Sequence, residues 1–100
     1  MIAFNRMADV APGKMGSAMA FAHEICAYMK EAHKIDLEVL LPIGGNPQRI
    51  AWSTHYADLA ALDKVSSGVL ADKKYWELLN KSADCFIAGS MHDSIWRGVK

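Results

Sequence analysis

The chain has 100 residues, 52% of them hydrophobic and 22% charged. A chain of this length buries only about 60 to 70% of its unfolded surface, so so apolar a composition anticipates a second subunit covering part of it. Eleven basic residues balance eleven acidic ones with no run of one sign, which removes the electrostatic footprint of a nucleic-acid binder.

No apolar stretch approaches the roughly 20 residues that span a bilayer, and no basic segment followed by an apolar run opens the chain. The expectation is a cytosolic protein without membrane contact. Cys26 and Cys85 stand far apart and form no C-x-x-C pair, so they read as buried free thiols.

Met1 to Val10 mixes apolar and polar residues and ends at Ala11-Pro12-Gly13, a turn, so it reads as a first strand. From Met15 onward, Met15, Ala18, Ala22, Ile25, Met29 and Ala32 recur at steps of three and four, the stripe of an amphipathic helix of about five turns. Leu37 to Ile43 is a short apolar run closed by Gly44-Gly45-Asn46-Pro47, and Ile50 to Tyr56 resumes an extended pattern, so the two form a hairpin. Pro42 cannot donate to a ladder, which places this second strand at an edge outside the third.

Asp58 can cap a helix carrying Leu59, Leu62 and Val65, Ser66-Ser67-Gly68 weakens it, and Asp72 offers a second cap. Two helical pieces with a kink are expected. Tyr75, Trp76, Leu79, Ala83 and Phe86 form the apolar face of the second piece, which should stop near Gly89, and Met91 to Val99 reads as a last strand. Strand, helix, strand, strand, helix, strand is the split βαβ order, an α+β, ferredoxin-like βαββαβ domain over residues 1–100 with a four-stranded antiparallel sheet and helices on one face. Large apolar groups occur at both strand parities, Trp52 and Tyr56 at one and Leu40 and Ala51 at the other, so a second subunit's sheet is the natural cover for the bare face.

The chain resembles the dimeric α/β-barrel proteins, and within them the NIPSNAP-like and small uncharacterised bacterial members. The residues carrying the likeness are Pro12-Gly13-Lys14, the Gly44-Gly45-Asn46-Pro47 turn, Trp52 to Tyr56 leading into Asp58-Leu59-Ala60-Ala61-Leu62, Ala71 to Trp76, and Phe86-Ile87-Ala88-Gly89-Ser90. The resemblance implies a homodimer packed sheet to sheet. Relatives in that superfamily include cofactor-free monooxygenases, haem-degrading and polyketide-modifying enzymes and members of no known role, and no catalytic motif of any of them transfers to this chain residue by residue.

Candidate functional residues are scattered. His55, near the end of the third strand, could serve as a base or position a substrate, or simply hydrogen-bond at a dimer seam. His92 and Asp93 point to opposite faces of the last strand and cannot form one catalytic pair; His92 shares its parity with Ser94 and Trp96 and is the better candidate, while Asp93 faces solvent or pairs with a base. His23 and Cys26 share a helix face but supply only two ligands where zinc takes three or four, so no metal site is expected. His33, in the last helical turn, is explained by the helix dipole.

Among the aromatics, Trp76 and Phe86 are assigned to the core, and Trp52 and Tyr75 to the walls of a pocket for a flat organic ligand. Asn5 could bind that ligand or bridge two subunits. No phosphate-binding loop, nucleophile elbow or activated thiol occurs. The reading is a homodimer without a cofactor that binds a small hydrophobic or aromatic molecule between sheet and helices through Trp52, Tyr75, His55 and Asn5. The alternatives are a cofactor-independent monooxygenase acting on an aromatic or polyketide-like substrate, with His55 or His92 assisting deprotonation, and a purely structural dimerisation module.

Overall fold

A computed structural model describes residues 1–100. The elements are β1 (Ile2–Asp9), α1 (Met15–His33), β2 (Glu38–Leu40), β3 (Arg49–Tyr56), α2 (Leu59–Leu70), α3 (Lys73–Lys81), a short 3-10 turn (Ala83–Cys85) and β4 (His92–Arg97). The strands form one sheet in the order β2-β3-β1-β4, every neighbouring pair antiparallel. The expected strand order, the edge position of β2 and the two capped helical pieces are all present.

The register fixes the two faces. Phe4 lies opposite Thr54, Arg6 opposite Trp52 and Ala8 opposite Ile50 on β3, and the same face of β4 carries Ile95 opposite Phe4 and Asp93 opposite Arg6. Burial alternates with this parity: Ile50, Trp52 and Thr54 are buried along β3, as are Ile2, Ala8 and Val10 on the first strand and just beyond it. Against them α1 lays Ala18, Phe21, Ala22, Ile25 and Met29, all buried and spaced by three and four. Of these, the large side chains Phe21, Ile25 and Met29 each contribute about 1.5 to 3 kcal/mol by leaving water.

Local chemistry sets the helix ends. The Asp58 carboxylate accepts the Ala61 amide at 2.8 Å, and that of Asp72 accepts the Lys74 and Tyr75 amides at 3.0 and 3.4 Å, which satisfies donors a helix start leaves free. At its other end α1 closes on Lys34, whose backbone is left-handed at φ 57°.

Three expectations are corrected. β2 is confined to Glu38–Leu40 instead of running to Ile43, because Pro42 removes a ladder donor and Gly45 turns with φ 79°. α3 ends at Lys81, well before Gly89, because Phe86 is extended and bridges Val10, while the Ala11 amide donates to the Cys85 carbonyl at 2.9 Å; sheet pairing outcompetes helix propagation there. Trp76 is 43% exposed and not part of the core, its indole N–H donating to the Leu70 carbonyl at 2.9 Å.

Candidate functional site

The sequence candidates fall on opposite faces of the sheet. Trp52 and Tyr75 are both buried on the helix side, each 7% exposed. Asn5, His55 and His92 have the other parity and lie on the bare face, Asn5 opposite Ser53 and Ser94, His55 opposite Ala3, and His92 opposite Met7. The structure therefore does not bring His55 or Asn5 to Trp52 and Tyr75.

What stands beside Trp52 is Arg6, its cross-strand neighbour. Arg6 Nε and Nη2 donate to the two Asp93 carboxylate oxygens at 2.7 and 2.9 Å, a bidentate pair, and Nη1 donates to Tyr75 Oη at 3.2 Å. The guanidinium also lies 5.6 Å from the centre of the Phe4 ring. The Asp93 hydrogen bonds raise the Arg6 pKa above its ordinary value against the opposing effect of burial, so the cation is fixed.

Two donors on this side are unspent. A guanidinium only donates, so the Tyr75 hydroxyl accepts from Arg6 and keeps its own proton to give. The Trp52 indole Nε1 is buried with no hydrogen-bond partner, while its ring packs against Phe21 and Phe86 at 6.2 and 6.0 Å between centroids. The helices also leave part of this face bare: Ile95 belongs to it by register, yet Ile95 is 53% exposed. Phe4 and Arg6, beside it on β1, are only half-buried. Arg6 is the functional candidate that sequence reasoning passed over; its signal was a charged residue at an inward parity of a central strand, between Phe4 and Ala8.

A second polar cluster ties helix to helix. Asp72 Oδ2 accepts the Tyr28 hydroxyl and meets His33 Nε2 at 2.7 Å. These contacts, the Tyr28 hydrogen bond first, hold the Asp72 carboxyl down to about 2, and the same bond pushes the Tyr28 phenol up to about 12. Both Asp72 oxygens are occupied, one by the α3 cap and one by α1. The cluster is a clamp, and it gives His33 a more specific role than a dipole interaction.

Two further hollows are present. One of about 350 Å³ lies between the start of α1 and the end of α3, over Phe21 and Cys85, with Lys14 and Asp84 3.4 Å apart and Lys81 and Glu24 3.6 Å apart at its rim. The other, about 220 Å³, opens on the bare sheet face and is lined by Met7, Leu40, Leu41, Pro42, Arg49 and Ala51. No group of three or more His, Cys, Asp or Glu side chains is placed to hold a metal ion, and no helix is long and apolar enough to cross a membrane.

No family model matches the sequence, and no curated protein matches it. Solved structures do match. An uncharacterized NIPSNAP domain protein from Burkholderia xenovorans superposes with a TM-score of 0.82 at 10% identity, over 99% of this chain and 95% of its own. A NIPSNAP family protein of unknown function from Agrobacterium tumefaciens gives 0.81 at 14% identity, over 100% and 89%. A protein from Nitrosomonas europaea, described as a candidate antibiotic biosynthesis monooxygenase, gives 0.73 at 14%, over 100% of both chains. The fold is ferredoxin-like. It is the fold of NIPSNAP-family structures, the likeness anticipated from the turns and caps, and at these identities what is shared is the fold alone.

Proposed function

We propose that the chain is a cytosolic homodimer, paired through its bare sheet faces, in which each subunit binds a small planar organic molecule carrying an acceptor oxygen on the helix side of the sheet. The observation that carries the ligand reading is the pair of unspent donors, the buried Trp52 Nε1–H and the Tyr75 hydroxyl held by Arg6. A buried donor without an acceptor costs about 1 to 3 kcal/mol, and an acceptor-bearing ligand recovers that cost. Asn5 and His55, across the sheet, belong to the subunit contact in this reading. The two free thiols, Cys26 and Cys85, fit a reducing compartment.

Calorimetric titration with 2-hydroxy-1,4-naphthoquinone, and with naphthalene as the acceptor-free control, tests the ligand site. The quinone should bind more tightly than naphthalene, and Tyr75→Phe should weaken it by about three- to tenfold, the worth of one neutral hydrogen bond. Equal affinity for the two compounds, or no loss in Tyr75→Phe, contradicts the site and leaves the structural dimerisation module as the reading.

A second reading, cofactor-independent oxygenation of an aromatic or polyketide-like substrate, draws support from the full-length likeness to the Nitrosomonas europaea protein. Such chemistry needs a dry pocket and a proton acceptor. With His55 and His92 across the sheet, the proton acceptor on the helix side is the Asp93 carboxylate beside Arg6, and the Tyr75 hydroxyl donates to the substrate oxygen. Oxygen uptake with a naphthohydroquinone above the uncatalysed rate, lowered in Tyr75→Phe and retained when both histidines are changed, is its expected signature; no uptake above that rate removes it.

A further inference from the structure

The bare face of the sheet carries both a projection and a recess. Trp96 projects from β4 and is 65% exposed, one of the largest apolar groups on the surface. At the opposite corner of the same face lies the hollow of about 220 Å³ between Met7, Leu40, Leu41, Pro42 and Ala51, an apolar recess with the Arg49 guanidinium at its edge already engaged by Asp9 at 2.6 Å. We infer that Trp96 of one copy seats in the Leu40–Ala51 hollow of a second copy, twice over, and that this exchange anchors the dimer. The inference rests on the sheet-to-sheet pairing proposed above and goes beyond it by naming the contact that holds it.

The register makes the exchange possible. Leu40, Ala51, Met7 and His92 form one cross-sheet row, Glu38, Ser53, Asn5 and Ser94 the next, and His55, Ala3 and Trp96 the third. With strands about 4.8 Å apart and a rise of about 3.4 Å per residue, Trp96 lies about 14 Å across and about 14 Å along the sheet from Leu40. The midpoint falls between Asn5 and Ser53, the centre of the face. A two-fold axis lying in the face through that point exchanges projection and hollow, as an isologous contact requires. It also sets the strands of the two sheets at about 90°, one of the two stable ways sheets pack. The same operation brings Glu38 of one copy over His55 of the other, an acid against a base, so the charge pattern is self-complementary as well. A second copy of this chain is thus the occupant that the face itself specifies.

Sedimentation equilibrium on the full chain tests this with three variants. Because a large buried aromatic anchor is an interface hot spot, Trp96→Ala should raise the dimer Kd at least about 30-fold. Ala51→Phe, which fills the hollow, should raise it comparably, and Trp76→Ala, at a partly exposed tryptophan on the helix side, should leave it unchanged. Trp96 is largely exposed, so its removal does not threaten the fold, and circular dichroism verifies this. A wild-type dimer that Trp96→Ala and Ala51→Phe leave equally tight overturns the anchor while the pairing stands. A wild-type chain that stays monomeric at every concentration overturns both.

Discussion

Asp72 is the most heavily used single residue in the molecule, capping α3 with one oxygen while the other takes the Tyr28 hydroxyl and His33. Its carboxyl falls from an ordinary 3.8 to about 2 in the folded chain. A group whose folded pKa is depressed contributes stability that is fully present above its unfolded value and lost as pH falls through the folded one. Unfolding followed between pH 3.8 and about 2 should therefore show wild type losing stability that an Asp72→Asn variant, which keeps an acceptor for the cap but has no charge to lose, does not lose. Parallel acid profiles for the two proteins would contradict this role. The sequence displayed only half of that residue: a capping Asp is visible from its position before Lys73, whereas its contacts with Tyr28 and His33 join residues far apart in the chain and depend on how α1 crosses α3. Arg6 was hidden for the same reason, since its partners Tyr75 and Asp93 come from a different helix and a different strand.

At the scale of elements, starts were more legible than ends. Asp58, Asp72 and the Ala11-Pro12-Gly13 turn announce themselves by residue type, and the structure uses each of them. Ends are decided by competition with the rest of the fold, as when Phe86 leaves the helical pattern to bridge Val10, and local periodicity contains nothing of that competition. α2 provides a test of its own. Gly68 lies inside this helix, and a Cβ added there meets nothing within 4 Å. Gly68→Ala should thus stabilise the protein by about 0.5 to 1 kcal/mol through the lower entropy of the unfolded chain and the better helix propensity of alanine. Chemical denaturation measures it, and a destabilised variant would mean that α2 needs the bare backbone at this point.

For the whole molecule, the order of strands and helices pointed to the fold class, and large apolar groups at both strand parities pointed to the bare sheet face, because two-residue periodicity survives in a single sequence. It could not say which candidates share a side until the register was known. That register separates them: Trp52 and Arg6 lie on the helix side with Tyr75 of α3, and Asn5, His55, His92 and Trp96 lie on the open face. In the proposed function the two faces of one sheet have separate tasks, ligand on one and partner on the other.

The three tryptophans report on this division together, because each gives its own indole cross-peak in a nitrogen-15 correlation spectrum. Adding 2-hydroxy-1,4-naphthoquinone should shift the Trp52 indole resonance and leave that of Trp96 in place, while dilution through the dimer Kd should shift Trp96 and leave Trp52 in place. A Trp96 resonance that follows the quinone while Trp52 stays fixed would put the ligand on the open face and contradict the division.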